Sequence, residues 1–322
     1  MVAQEQTAFN QEIKSFAFPE DMAIHPSLLQ AWQRINEVHQ MYSLPSRNKG
    51  QIIYGSSGEG KTFLVKNYQK LYPPIVTPEK TLIPVFYCRF KEAKKSIDDI
   101  LRFLISALGV TPPKGRTQAG ELSAQFYKLI DDLGVQLIIL DEIQQVLPDK
   151  DSVTAMNTLK YFCGLLDELK PSIVFIGSDR ATRLLTFGKT DKTTDDNEQL
   201  SRRMFRSIKI GRLAPSTDEW INCINWFVLK IGLEPLTDTD HDLIDRIYLA
   251  YGFGRSMSTL DDLFLSEPSS LKTKTELLDF LFKNFEKNCH VSETDGHFVV
   301  NPFSFEEYKA AKVEKEIMKL IL

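Results

Sequence analysis

A doubly wound α/β fold, a parallel sheet between layers of helix with a helical lid after it, is predicted by three features of this sequence. Short apolar segments alternate with helical patterns across roughly the first two thirds of its 322 residues. A glycine-rich loop separates the first apolar segment from a helix, and a later apolar segment ends in two adjacent carboxylates. From residue 218 onward the spacing of apolar residues is helical to the end.

Each element has a local reason. The helix over 26–42 gathers Leu28, Leu29, Trp32, Ile35 and Val38 on one face, and Pro26 suits its start. Residues 51–54 form a short apolar strand, and 61–72 the helix after the loop. The segment 81–90, TLIPVFYCRF, is rich in β-branched and aromatic residues and reads as a second strand. Ser96 caps a helix over 96–108, with Asp98 and Asp99 in its first turn. Two prolines and a glycine make 111–117 a loop, and 122–133 is helical again. The apolar run 136–140 suits a strand buried on both faces. A helix over 153–169, a strand over 172–176, a polar loop over 189–197 and a strand over 207–210 complete the alternation.

Composition sets outer limits. Hydrophobic residues are 43% and charged residues 25%, as in soluble globular proteins. The net charge of -4 excludes a uniformly basic nucleic-acid binder, so DNA contact would need a local basic patch or one repeated by oligomerisation. Residues 1–18 lack the apolar core of a signal peptide, and no run approaches the ~18 apolar residues of a membrane span. A cytoplasmic protein without a membrane role is expected. The four cysteines lack CxxC spacing and read as reduced thiols. Cys289, His290 and His297 fit no standard zinc spacing.

The loop Gly55-Ser56-Ser57-Gly58-Glu59-Gly60-Lys61-Thr62 carries the clearest chemistry. A loop that cradles phosphates needs glycines so that successive N–H groups can turn inward and the chain can approach closely. Lys61 would reach the β- and γ-phosphates of ATP and the Thr62 hydroxyl would hold Mg²⁺, while the following helix adds its positive dipole end.

Asp141, ending the strand LIILD 79 residues after Thr62 (141 − 62), would bind Mg²⁺ through water. Glu142 beside it is placed to take a proton from an attacking water. Kinases and small GTPases usually use one carboxylate here, so the pair favours ATP hydrolysis of the ring-forming kind. Ser178, after the next strand, either senses the γ-phosphate or turns the chain with Gly177. Arg202 and Arg203 suit a solvated helix end or a finger that neutralises transition-state charge in a neighbouring subunit. Arg255 either begins a lid helix and reaches the phosphates or lies on the surface.

With these features in order, the chain resembles the AAA+ ATPases, and most closely the TniB/TnsC branch of ATP-dependent regulators of DNA transposition. The resemblance runs from about 24 to 265 and is carried by Val85-Phe86-Tyr87-Cys88-Arg89, by 138–143 and by Phe175-Ile176-Gly177-Ser178-Asp179-Arg180. Glu198-Gln199-Leu200-Ser201-Arg202-Arg203 and Gly254-Arg255 complete it. In that family the finger arginine precedes an aromatic residue, whereas Met204 stands between Arg203 and Phe205 here. The family more often has Thr where this chain has Ser178.

The resemblance implies assembly into rings or helical filaments on double-stranded DNA, marking of a target site and recruitment of a transposase. It implies a DNA surface of Arg89, Lys91, Lys94 and Lys95 with Lys114, Arg116 and Thr117. A few phosphate contacts per subunit, repeated along a filament, give sequence-tolerant, salt-sensitive binding. The target would be chosen by a CRISPR effector, a DNA-binding partner or DNA shape.

The expected organisation is a polar arm over 1–23, an AAA+ domain over 24–215 and a helical lid and tail over 216–322. The arm and the tail from 301 are candidates for partner contact. A replication initiator or helicase loader shares this core but usually carries a winged helix after the lid, for which the 67 residues after Arg255 (322 − 255) leave little room. A signalling or defence switch usually appends sensor or effector domains, which this sequence does not show.

Overall fold

The elements follow in the order α1 (Pro26–Gln40), β1 (Gln51–Gly55), α2 (Lys61–Lys70), β2 (Ile75–Val76), β3 (Thr81–Leu82) and β4 (Val85–Arg89). Then come α3 (Ile97–Ala107), α4 (Ala119–Asp132), β5 (Leu137–Asp141), α5 (Val153–Glu168), β6 (Ser172–Gly177), α6 (Arg183–Thr186) and β7 (Ile208–Ile210). Helices α7 (Asp218–Lys230), α8 (His241–Gly254), α9 (Met257–Phe264) and α10 (Lys274–Asn288) complete the order. This computed structural model describes residues 17–20, 22–23, 25–44, 49–93, 96–113, 119–147, 153–186, 202–215, 217–254, 257–265, 271–288 and 301–304. The chain divides into two compact units, Met1–Pro19 with Leu29–Gly55 and Lys61–Ile210, and Glu20–Leu28 with Ser56–Gly60 and Gly211–Leu322.

The first unit is organised by a five-stranded sheet of order β4-β5-β6-β1-β7. Every pairing in it is parallel. Strands β5 and β6 are buried at every position, which is why their sequences are continuously apolar rather than alternating. One core cluster joins the sheet residues Phe86, Ile138, Leu140 and Phe175 to Leu101, Leu104 and Ile105 of α3, Phe126 of α4 and Phe162 of α5. The Ser96 side chain accepts from the Asp99 N–H at 3.1 Å and caps α3 as its sequence predicts.

The segment read as one strand over 81–90 is two. Residues 81–82 pair antiparallel with 75–76 in a small hairpin, and only 85–89 joins the main sheet. Pro84 explains the break, because it has no N–H to give to a ladder. Its carbonyl instead accepts from the N–H groups of Gln136 and Leu137, at 2.8 and 3.1 Å.

The second unit is helical. Trp220, Phe227, Tyr251, Leu263, Phe264 and Leu281 lie in its core, with Phe303 from the segment 301–304. Thr217 caps α7 by accepting from the Trp220 N–H, and Asn284 reaches the Leu263 carbonyl at 2.8 Å. Among the described residues no helix is long and apolar enough to cross a membrane.

Candidate nucleotide site

Strand β1 delivers the chain to the glycine loop. Gly55, its last residue, lies so close to β7 that a Cβ there would sit 2.3 Å from the Ile210 carbonyl oxygen. Gly58 and Gly60 have φ of 81° and 80°, a region that residues with a Cβ seldom occupy. Helix α2 then begins at Lys61, whose side chain folds back so that Nζ donates to the Gly55 carbonyl at 2.8 Å. Lys61 is buried, with 9% of its surface exposed.

At the second residue of α2, Thr62 Oγ1 donates to Asp141 Oδ2 at 2.8 Å. The Tyr87 hydroxyl donates to the same oxygen at 2.9 Å, and the Glu142 N–H donates to Oδ1 at 2.8 Å. Burial pushes the Tyr87 phenol well above its ordinary range, and the Asp141 charge adds to this, so the phenol stays a donor. A hydroxyl and one carboxylate in contact are hard oxygen donors that fit Mg²⁺, an ion that keeps water and substrate phosphates in its shell. Among the described residues no group of three or more His, Cys, Asp or Glu is arranged to hold a metal unaided.

Glu142 follows in the left-handed conformation, φ 58° and ψ 40°, as the one non-glycine residue with positive φ among those described. Such a backbone costs on the order of 1–2 kcal/mol and redirects the side chain at the strand end. Its Oε1 accepts from Arg89 Nη2 at 3.2 Å, and its Oε2 accepts from the Gln144 amide. Arg89 Nε also stands 4.0 Å from Asp141 Oδ2. The register that sets Arg89 opposite Asp141 brings these charges together.

Ser178 follows β6, the strand between β1 and β5, and therefore lies in sheet order between the glycine loop and the carboxylate pair. Its backbone N–H donates to Gln144 Oε1 at 3.2 Å.

Loop residues Ser56–Gly60 group with the second unit. There the Ser258 N–H donates to the Gly58 carbonyl at 3.3 Å. The Glu59 side chain is 1% exposed and forms an ion pair with Arg212, Nε to Oε1 at 3.7 Å.

Arg203 lies elsewhere. Its carbonyl accepts from the Gly50 N–H at 2.8 Å and its Nε pairs with Asp167 at 2.7 Å. Gly50 precedes β1 and the loop follows it, so five strand residues, about 16 Å, separate that backbone contact from the loop. Arg202 is exposed.

Arg89, expected on the DNA-facing surface, ends β4 with its guanidinium on Glu142, and Lys91 is exposed just beyond it. Lys94, Lys95, Lys114, Arg116, Thr117 and Arg255 lie outside the described residues. So do residues 1–16, the loop 189–197, Cys289, His290 and His297, and the tail beyond 304. Tyr87, Gln144 and the Glu59–Arg212 pair were not singled out by sequence.

A parallel sheet of this order, with a phosphate-type glycine loop after β1 and an Asp-Glu pair ending the strand two places away, defines the AAA+ class of P-loop folds. Within that class the model of the family described as Bacterial TniB protein matches residues 19–212, and the chain belongs to this family. No curated protein matches the sequence. Among solved structures, Cdc6p from Pyrobaculum aerophilum is similar at 14% identity, covering 90% of this chain and 73% of that one, with a TM-score of 0.46. Orc1 from Aeropyrum pernix, solved in complex with DNA, is similar at 16% identity, covering 87% and 68%, with a TM-score of 0.47. A Walker-type ATPase from Pyrococcus abyssi is similar at 12% identity, covering 86% and 77%, with a TM-score of 0.46. The class therefore rests on this chain's own strand order and motifs.

Proposed function

We propose that this protein is an ATP-hydrolysing regulator of DNA transposition that oligomerises on duplex DNA, marks a target site and recruits or activates a transposase. The observation that carries the ATPase part is the 2.8 Å contact with Asp141 of Thr62, next in sequence to Lys61, whose Nζ donates to the Gly55 carbonyl. Membership of the TniB family supports the transposition part.

In this reading Gly55, Ser56, Ser57, Gly58, Glu59 and Gly60 supply the phosphate-facing backbone. Lys61 moves its ammonium from the Gly55 carbonyl to the phosphate oxygens. Thr62 and Asp141 would hold Mg²⁺, which when bound would supply positive charge to those oxygens. Glu142 takes the proton of the attacking water, the Ser178 hydroxyl senses the γ-phosphate, and Arg203 or Arg202 serves a neighbouring subunit's site. Arg255 completes the nucleotide-binding residues, within a division of arm 1–23, nucleotide domain 24–215 and lid 216–322.

DNA phosphates meet Lys91, Lys94, Lys95, Lys114, Arg116 and Thr117, and the bound nucleotide controls assembly. Hydrolysis takes the ring or filament apart. The protein works in the cytoplasm at the nucleoid, with a DNA-binding partner or CRISPR effector choosing the site. A gel shift with random duplex DNA at low salt tests this: ATP-stimulated binding is expected, and its absence would overturn the proposal.

A further inference from the structure

Gly177 poses a question that its backbone does not answer. It is not among the glycines with positive φ, so no conformational demand excludes a side chain. Space does. A Cβ there would lie 2.3 Å from Gln144 Oε1, 3.1 Å from the Ala181 Cβ and 3.2 Å from Ile143 Cγ2. The nearest of these belongs to a side-chain amide, seated where residue 177 would otherwise have its Cβ.

That amide is held at both ends. Its oxygen accepts from the Ser178 N–H at 3.2 Å, and its nitrogen donates to Glu142 Oε2. A backbone N–H can only donate and a carboxylate only accepts, so the two partners fix which way the amide faces. The main chain around it is fixed too. Residues 143–146 form a 3-10 turn in which the Gln145 N–H donates to the Glu142 carbonyl at 2.9 Å. On its other side the Glu142 carboxylate meets Arg89, whose side chain is 45% exposed. The neutral amide is thus the anchored contact and the guanidinium the solvent-facing one.

We propose that Gln144 is a positioning residue: it transmits the position of the β6 terminus at Ser178 to the carboxylate of Glu142, and Gly177 is glycine to seat it. The proposal rests on the reading of Glu142 as the water-activating base. A residue that orients a base changes turnover while leaving substrate binding alone.

The test uses the full chain with duplex DNA, phosphate release for kcat, and a fluorescent ATP analogue for affinity. Gln144→Glu keeps the size and the acceptor for Ser178 but sets a carboxylate oxygen against Glu142. Gly177→Ala keeps Gln144 and pushes on its amide. Each is expected to lower kcat about tenfold or more with analogue affinity within about twofold. In a Glu142→Gln background neither should lower the residual rate further. Gly177→Ala should also lower the melting temperature less when Gln144 is already alanine, which keeps the test informative if one single variant folds poorly.

If Glu142→Gln loses turnover while both single variants stay within about twofold of wild type, the proposal is overturned. Equal losses from Gly177→Ala with and without Gln144 would overturn it as well. Wild-type turnover in Glu142→Gln would instead remove the base assignment on which it stands.

Discussion

Replacing His39 with glutamine tests how the helix that carries Lys61 and Thr62 is held in place. His39, on α1, is fully buried, and its Nδ1 lies 2.9 Å from the Tyr68 hydroxyl of α2. Trp32 of α1 packs edge-on to the same tyrosine, with ring centroids 5.2 Å apart. Burial pushes the imidazole down to about 4 from 6.5, with Gln136 pulling the other way. The folded protein therefore holds His39 neutral, while the unfolded chain takes up a proton as pH falls below 6.5. The stability this represents is complete above that pH and is lost as pH falls toward 4. From those two values the loss between pH 7 and pH 5 is about 2 kcal/mol. Urea unfolding of wild type and His39→Gln at both pH values measures it. The wild type should lose about 2 kcal/mol more than the variant over that interval, as a steeper fall in the midpoint at constant slope. Equal losses would refute the reading that the folded protein holds His39 neutral against Tyr68.

Four further outcomes are expected from the site. Lys61→Ala should weaken ATP binding about a hundredfold or more, measured by calorimetry, because a charged phosphate donor is removed. Glu142→Gln should bind ATP but turn it over about 10²–10⁴ times more slowly, and its complexes on DNA should outlast those of wild type in dissociation assays. Gly55→Ala, whose Cβ would lie 2.3 Å from the Ile210 carbonyl oxygen, should lose about 1–3 kcal/mol in a denaturant melt as β1 and β7 part. Arg203→Ala and Lys61→Ala, each inactive alone, should regain turnover when mixed, since about a quarter of random subunit interfaces then hold an intact loop and an intact finger. Failure of the mixture to exceed either component would count against a shared site.

What the sequence made legible is what local geometry dictates. Gly58 and Gly60 stand where φ is positive, and Gly55 where β7 leaves no room, so the spacing of the loop follows from its shape. Asp141 and Glu142 were legible because a run of residues buried on both faces must end somewhere, and charges mark the place. Contacts that depend on register were hidden. Tyr87 reaches Asp141 only because β4 and β5 pair with Arg89 opposite Asp141, and no local pattern in 85–89 specifies that. The same holds for Gln144, which reads as one more polar residue after a strand until β6 brings Ser178 beside it. The hairpin of residues 75–82 escaped because its strands are two residues long, too short for any periodicity, and Pro84 divides what looks like one apolar strand.

The position of Arg203 bears on why such a protein would assemble at all. Its backbone is tied to Gly50, before β1, and its guanidinium to Asp167, whereas Lys61 follows the other end of that strand. An arginine tied across a strand's length from the phosphate loop cannot serve its own chain without dismantling the Gly50 contact. In the proposed finger role it would keep the Gly50 contact, release Asp167 and reach another chain's loop, and hydrolysis would then depend on having a neighbour. In that arrangement Glu142 and Gln144 come from one subunit and the finger from the next. An isolated subunit would then hold ATP without spending it, and turnover would begin only after assembly on DNA had set two copies side by side.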